Sequence, residues 1–334
     1  MAQQEKKCIL QVKNLHVHYI TDEEEVFAVN GISFDLDEGD NIGLVGETGA
    51  GKTTTAMAIM QLVPDPPGVI TEGEILFQGR DMILNTDAEN QKIRGNGISM
   101  IFQDPMTALN PTMTVGDQLI EVLRRHNKSM SKAEAKKQAI EMLEMVGVKA
   151  ERFNDYPHQF SGGMKQRVVI TMALLCNPDL LIADEPTTAL DVTIQAQVLD
   201  IMRNLREKFH MGLIMITHDL GVVAETCDKV AIIYAGEVVE AGSVTEVYLN
   251  PRHPYTRGLF DSIPKLDEDS TRLIPIEGMT PNMAEPPTGC YFHPRCKYCQ
   301  ERCRTQSPEM VQMAGGTHRF KCFYPLGNEQ DEEV

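Results

Sequence analysis

The run Asn41-Ile-Gly-Leu-Val45 is almost unbroken apolar chain, and it ends directly on Gly46-Glu-Thr-Gly-Ala-Gly-Lys52-Thr53. An apolar stretch of this length without polar alternation suits a strand covered on both faces. The octapeptide matches G-x-x-x-x-G-K-[ST], with a helix expected to begin near Lys52. Glycines at this spacing let consecutive backbone N–H groups turn toward an anion, and the positive end of the following helix points at the same place. In such a loop Lys52 reaches the β- and γ-phosphates of a nucleoside triphosphate and the Thr53 hydroxyl ligates Mg²⁺. The expected binding set is Gly46, Glu47, Thr48, Gly49, Ala50, Gly51, Lys52, Thr53 and Thr54. Alone, the loop specifies a nucleoside triphosphate and no particular machine.

Other runs extend this pattern. Ile9–Val12, Gly31–Phe34, Ile98–Phe102, Leu180–Asp184, Gly212–Ile216 and Lys229–Tyr234 read as strands, with helical segments between the later ones. That alternation predicts an α/β core. Residues 131–146 change period: Ser131 with Glu134 forms a capping box, Ala135, Ala139, Leu143 and Val146 recur at helical spacing, and Gly147 supplies a stop. Eight of the eighteen prolines fall between Pro251 and Pro294, which places a boundary near residue 255. No internal repeat is present, and the acidic tail from Glu329 to Val334 is expected to be disordered.

At 334 residues and 42% hydrophobic, the chain can bury a substantial core. Its 31 basic against 48 acidic residues give a net charge of -17 without a dense Lys/Arg run, which argues against nucleic acid as a partner. The apolar stretch Cys8–Leu10 is too short for a secretion signal, and no run approaches the ~20 residues that span a bilayer. A soluble, cytoplasmic protein is expected, docked to other chains if it serves a membrane.

Leu180-Leu-Ile-Ala-Asp184-Glu185 is an apolar run ending in two carboxylates. Neighbouring strand residues face opposite ways, which predicts different tasks: Asp184 beside Mg²⁺, Glu185 as the base that polarises an attacking water. About twenty residues earlier stands Tyr156-Pro-His-Gln-Phe-Ser161-Gly162-Gly163-Met-Lys-Gln166-Arg167. Here the chain resembles the ABC ATPase family, whose signature reads L/F-S-G-G-x-x-Q-R. Ser161, Gly162 and Gly163 offer a hydroxyl, backbone N–H groups and a helix N-terminus to phosphate. Gln103 in Ile-Phe-Gln-Asp-Pro resembles the family's Q-loop, which senses Mg²⁺ and water. Ala189-Leu-Asp191 resembles the D-loop at the dimer seam, and His218 in Ile-Thr-His-Asp resembles the switch histidine. Tyr19, 27 positions before Gly46, is either an adenine-stacking residue or an ordinary half-buried strand tyrosine, with Phe27 also available.

The resemblance covers roughly residues 8–250. It implies a P-loop NTPase with a RecA-like core, an N-terminal antiparallel β part and a helical insert over about 101–164, within a nucleotide-binding domain at 1–255. It also implies head-to-tail pairing, each ATP held between one subunit's phosphate loop and the other's Ser-Gly-Gly. One loop and one signature then require a second ATPase chain, identical or paralogous. A soluble ABC ATPase of repair or translation is disfavoured, since neither a second ATPase domain nor a long coiled coil is present. A non-hydrolysing docking subunit is disfavoured by intact Glu185 and His218.

Residues 256–334 form the second expected region. Arg252-His-Pro-Tyr-Thr256 and Gly289-Cys290-Tyr-Phe-His-Pro-Arg-Cys296 look like the C-terminal extension of dipeptide/oligopeptide importer ATPases, shared with related nickel importers. This resemblance implies two membrane permeases, an extracytoplasmic peptide-binding protein met indirectly, and a place at the cytoplasmic face of the membrane. It further implies a [4Fe–4S] cluster on four cysteines at the spacing of Cys290, Cys296, Cys303 and Cys322. Cys299 is a fifth thiol outside that pattern, and Cys296-x-x-Cys299 read alone is half a zinc site, so zinc stands as the alternative metal.

Overall fold

A computed structural model describes residues 7–188, 190–262 and 275–327. Ala189 of the expected D-loop and the acidic tail 329–334 lie outside the described residues. The first strands are β1 (Cys8–Ile20), β2 (Glu25–Asp37) and β3 (Asn41–Val45), followed by α1 (Lys52–Ile59), β4 (Gly68–Phe77) and β5 (Arg80–Asp81). Next come α2 (Asp87–Ile93), β6 (Ile98–Ile101), α3 (Pro105–Ala108), α4 (Val115–His126), α5 (Lys132–Met145) and α6 (Gly162–Leu174). Then follow β7 (Leu180–Asp184), α7 (Val192–Phe209), β8 (Gly212–Thr217), α8 (Leu220–Thr226), β9 (Lys229–Tyr234) and β10 (Glu237–Ser243). The chain closes with α9 (Val244–Leu249), α10 (Pro254–Asp261), α11 (Glu301–Thr305), β11 (Val311–Gln312) and β12 (Arg319–Phe320). Among the described residues, two compact units emerge from interleaved segments: 7–10, 35–41 and 76–216 contribute to one, and 11–34, 42–75 and 217–327 to the other.

In the first unit β6, β7 and β8 run parallel, with Ile98 opposite Leu180 and Leu180 opposite Gly212. β7 and β8 are buried along their whole length, as their unbroken apolar sequences require. Helices α4, α5 and α6 pack on one another. α5 begins where its capping box predicts: Ser131 Oγ accepts from the Glu134 N–H and the Glu134 carboxylate accepts from the Ser131 N–H at 3.0 Å. Ala135, Ala139, Leu143 and Val146 line its buried face, where a leucine such as Leu143 contributes about 1.5–3 kcal/mol. Gly147, at φ +80°, ends it in the left-handed conformation.

In the second unit β3 pairs parallel with β9, Ile42 opposite Lys229 and Val45 opposite Ile232. β9 and β10 form a hairpin whose two turn residues, Ala235 and Gly236, both have positive φ. That geometry matches the strand twist. β12 adds antiparallel to β10, with Glu240 opposite Phe320, and β11 follows at the edge. The fully buried Glu240 carboxylate accepts from the Arg252 N–H (2.7 Å) and the His253 N–H (2.9 Å), and lies 2.7 Å from His318 Nε2. A buried carboxylate is tolerated only with such partners, so Glu240 fastens residues 252–253 and 318 to β10. Among the described residues no helix is long and apolar enough to cross a membrane.

Candidate functional site

The phosphate loop leaves β3 under tight steric control. A Cβ on Gly46 would stand 2.1 Å from the Ile233 carbonyl oxygen, and one on Gly51 (φ +98°) 2.4 Å from that of Ala28. Gly49, at φ +80°, has open space around it. Ala50 is held from both sides: its N–H donates to the Glu47 carbonyl (3.1 Å) and its carbonyl accepts from the Gly236 N–H (3.0 Å). Lys52 is buried, and its Nζ donates to the carbonyls of Gly46 (2.7 Å) and Glu47 (3.0 Å). Thr48 and Thr53 are exposed and Thr54 half-buried. The first turn of α1 holds no acidic residue, so its positive end is not neutralised from within the helix.

In the same unit, the Tyr19 ring is half-buried beside Gly68, where an added Cβ would come within 3.0 Å of it. Phe27 instead packs edge-on to His18, ring centroids 4.6 Å apart. His218 is exposed just past the end of β8. The turn beyond it is fixed by Asp219, whose carboxylate caps α8 through the N–H groups of Gly221 (2.8 Å) and Val222 (3.2 Å).

The acidic pair and the signature belong to the other unit. Asp184, the last residue of β7, is buried. Glu185 differs from the sequence expectation in one respect: it is no longer strand. Its φ is +46°, and its N–H donates to the Ile216 carbonyl at 2.8 Å. The two carboxylates therefore part company through a left-handed turn, not through strand alternation. A non-glycine residue held there costs on the order of 1–3 kcal/mol and tends to mark function. Glu185 Oε2 accepts from Gln103 Nε2 and from Thr188 Oγ1, each at 3.0 Å. The structure thus brings Gln103 onto Glu185, and adds Thr188, which sequence reasoning missed.

Ser161 caps α6, its Oγ accepting from the Met164 N–H at 3.4 Å. A Cβ on Gly163 would meet Ile194 Cγ2 at 2.6 Å, whereas one on Gly162 would meet no described residue within 4 Å. Internal packing explains the first glycine and not the second. Gln166 is fully buried and donates to the Pro186 carbonyl, tying the signature helix to the turn after Glu185. Asp191 caps α7 by accepting from the Ile194 N–H at 2.9 Å.

Cys290, Cys296, Cys303 and Cys322 all line one small cavity walled by Phe292, Tyr298, Phe323 and Tyr324, and Cys299 does not line it. Burial pushes the Cys290 thiol up to about 11 and that of Cys322 up to about 12, and raises Cys296 as well. Among the described residues no three His, Cys, Asp or Glu side chains are gathered tightly enough to hold a metal ion.

A glycine cradle between a buried parallel strand and a helix N-terminus, with a buried lysine folded into it, defines a phosphate-loop nucleoside triphosphatase. Residues 29–188 match the ABC transporter family, and residues 239–303 match the C-terminal region of oligopeptide/dipeptide transporters. The chain is 53% identical to the dipeptide transport ATP-binding protein DppD of Bacillus subtilis (strain 168), over 94% of each chain. It is 47% identical to the oligopeptide transport ATP-binding protein OppD of Escherichia coli (strain K12), over 98% of this chain and 96% of that one. Among solved structures, a dimeric ATP-binding cassette bound to ADP and phosphate after hydrolysis superposes with a TM-score of 0.63 at 29% identity, covering 71% of this chain and 99% of that one. The chain belongs to the ABC transporter ATP-binding proteins.

Proposed function

We propose that this chain is the ATP-hydrolysing subunit that powers import of dipeptides or oligopeptides through a membrane ABC transporter. The observation that carries the reading is Glu185, turned out of β7 by its left-handed backbone and held through one oxygen by Gln103 and Thr188. Lys52 and the loop N–H groups bind the triphosphate, with Tyr19 against the adenine. Glu185 orients and deprotonates the attacking water, and His218 steadies the γ-phosphate. Thr53, Gln103 and Asp184 carry the oxygen groups that would hold Mg²⁺, and a bound Mg²⁺ would offset phosphate charge. The uncluttered face of Gly162 leaves room for a facing subunit's nucleotide at the N-terminus of α6, with Ser161 and Gly163 beside it and Asp191 at the seam.

The nucleotide-binding domain extends to about residue 255, with its helical insert over about 101–164, and 256–334 is the extension. A second ATPase subunit, two permeases and, indirectly, a peptide-binding protein complete the machine at the cytoplasmic face of the membrane. Peptide is favoured over nickel by the relatives named above. Reconstituted with those partners in liposomes, the chain should hydrolyse ATP faster when peptide-loaded binding protein is added, and labelled peptide should accumulate. Nickel uptake without peptide uptake would overturn the substrate, and hydrolysis indifferent to the permeases the transport role.

The four cavity cysteines are proposed to hold the [4Fe–4S] cluster. Each thiolate in a cluster binds its own iron, so the sulfurs stand farther apart than around one zinc, where every Zn–S distance is about 2.3 Å. That all four thiols line one cavity supports a group shared among them. Its role would be structural, since ligation supplies folding free energy to a segment with little apolar core. Anaerobically purified protein should contain iron and sulfide, and serine at position 290, 296, 303 or 322 should abolish both. Cys299→Ser should leave them unchanged. Stoichiometric zinc without iron would refute the cluster.

A further inference from the structure

Glu47 is the first residue after the glycine that opens the phosphate loop, and a carboxylate is an awkward group to keep beside a triphosphate. The structure shows what is done with it. Arg295, whose side chain is only 5% exposed, donates from Nη1 to Glu47 Oε2 at 2.7 Å and from Nη2 to Glu47 Oε1 at 3.0 Å, a two-point fork on a half-buried carboxylate. The rest of the guanidinium is equally committed. Nε donates to the Glu277 carbonyl (3.1 Å), Nη2 to that of Ile276 (3.4 Å) and Nη1 to the Tyr234 hydroxyl (3.4 Å). The arginine comes from the turn between Cys290 and Cys296, anchored by Phe292, whose buried ring packs on Tyr234 and Tyr255. Two further tethers run from this region to the nucleotide side. The Glu47 N–H donates to the Tyr255 hydroxyl at 3.0 Å, and the Phe27 N–H donates to the Met283 carbonyl at 2.9 Å.

We infer that the C-terminal segment is a clamp on the phosphate loop, in which Arg295 is a positioning residue that holds Glu47 aside and cancels its charge so that the loop can accept ATP. The inference rests on the phosphate-loop reading and adds a role for residues 248 positions away. Because a part-buried fork fixes both position and charge, removing the cation alone leaves an uncompensated carboxylate at the anion site, whereas removing both charges does not.

The test compares full-length wild type, R295Q, E47Q/R295Q and, as a control in the same segment, R304Q, each assembled with its transporter partners. R295Q should raise the KM for ATP by about tenfold with kcat within about threefold. E47Q/R295Q should return KM to within about threefold of wild type, and R304Q should not move it. A KM for R295Q within twofold of wild type, or a double variant as impaired as R295Q, overturns the clamp. Should R295Q not accumulate, R295K keeps the charge but loses the fork. Its KM should rise by about threefold, and an unchanged value is equally decisive against the proposal. Wild type that fails to bind ATP would instead sink the functional reading itself.

Discussion

Glu185→Gln is expected to lower steady-state ATP hydrolysis by roughly two to four orders of magnitude, the usual contribution of a positioned general base. The substitution keeps size and hydrogen bonding while removing the negative charge. Gln103 Nε2 and Thr188 Oγ1 both donate to Glu185 Oε2, and an amide oxygen can still accept from both, though more weakly than a carboxylate. The left-handed backbone is retained by the Glu185 N–H bond to Ile216. ATP affinity should therefore stay within about threefold, and ATP-dependent pairing with the second ATPase subunit should become longer-lived. Phosphate release under saturating ATP, beside a nucleotide titration, separates the two effects. Hydrolysis above a tenth of the wild-type rate would remove Glu185 from the chemistry.

Gly46→Ala should abolish useful nucleotide binding, with a loss of affinity of about 100-fold. The added Cβ would lie 2.1 Å from the Ile233 carbonyl oxygen, which is backbone at the end of β9 and cannot swing away. Overpacking of this kind costs about 1–3 kcal/mol in a core. Here the loop relieves it by moving the N–H groups that should face phosphate. Gly49→Ala offers the contrast. It meets no neighbour and pays only for its φ of +80°, so its loss of affinity should be several-fold smaller. Titration with a fluorescent ATP analogue reads both, and Gly46→Ala protein that binds ATP within threefold of wild type would show that the cradle tolerates displacement.

What could be read from the sequence was whatever had a local cause. β3, β7, β8 and β9 announce themselves because strands covered on both faces have no reason to alternate. The start of α5 is written in Ser131 and Glu134. β4 escaped because Thr71, Glu72, Gly73 and Glu74 interrupt its apolar residues, and Gly73 is needed where a Cβ would strike the backbone at Asn14 and Leu15. The direction of Glu185 was misjudged because glutamate carries no propensity for positive φ; the turn is imposed by the bond to Ile216. The partners of Glu240, and the Arg295–Glu47 fork, join residues between 12 and 248 positions apart. No local pattern announces such pairs. The residue types proposed for the site stand in local motifs, and the groups that hold them in place do not.

The pairing of β3 with β9 has a consequence for how the protein is made. The strand that launches the phosphate loop is translated early, yet its parallel neighbour begins only at Lys229, and the Gly236 N–H that braces Ala50 comes later still. Long-range parallel pairing of this kind forms slowly. Until the ribosome has passed residue 236 and those residues have cleared its exit tunnel, the nascent chain carries the entire glycine motif without the wall that shapes it. Premature termination inside that window therefore yields a polypeptide with an intact motif and without the Gly236 brace on Ala50.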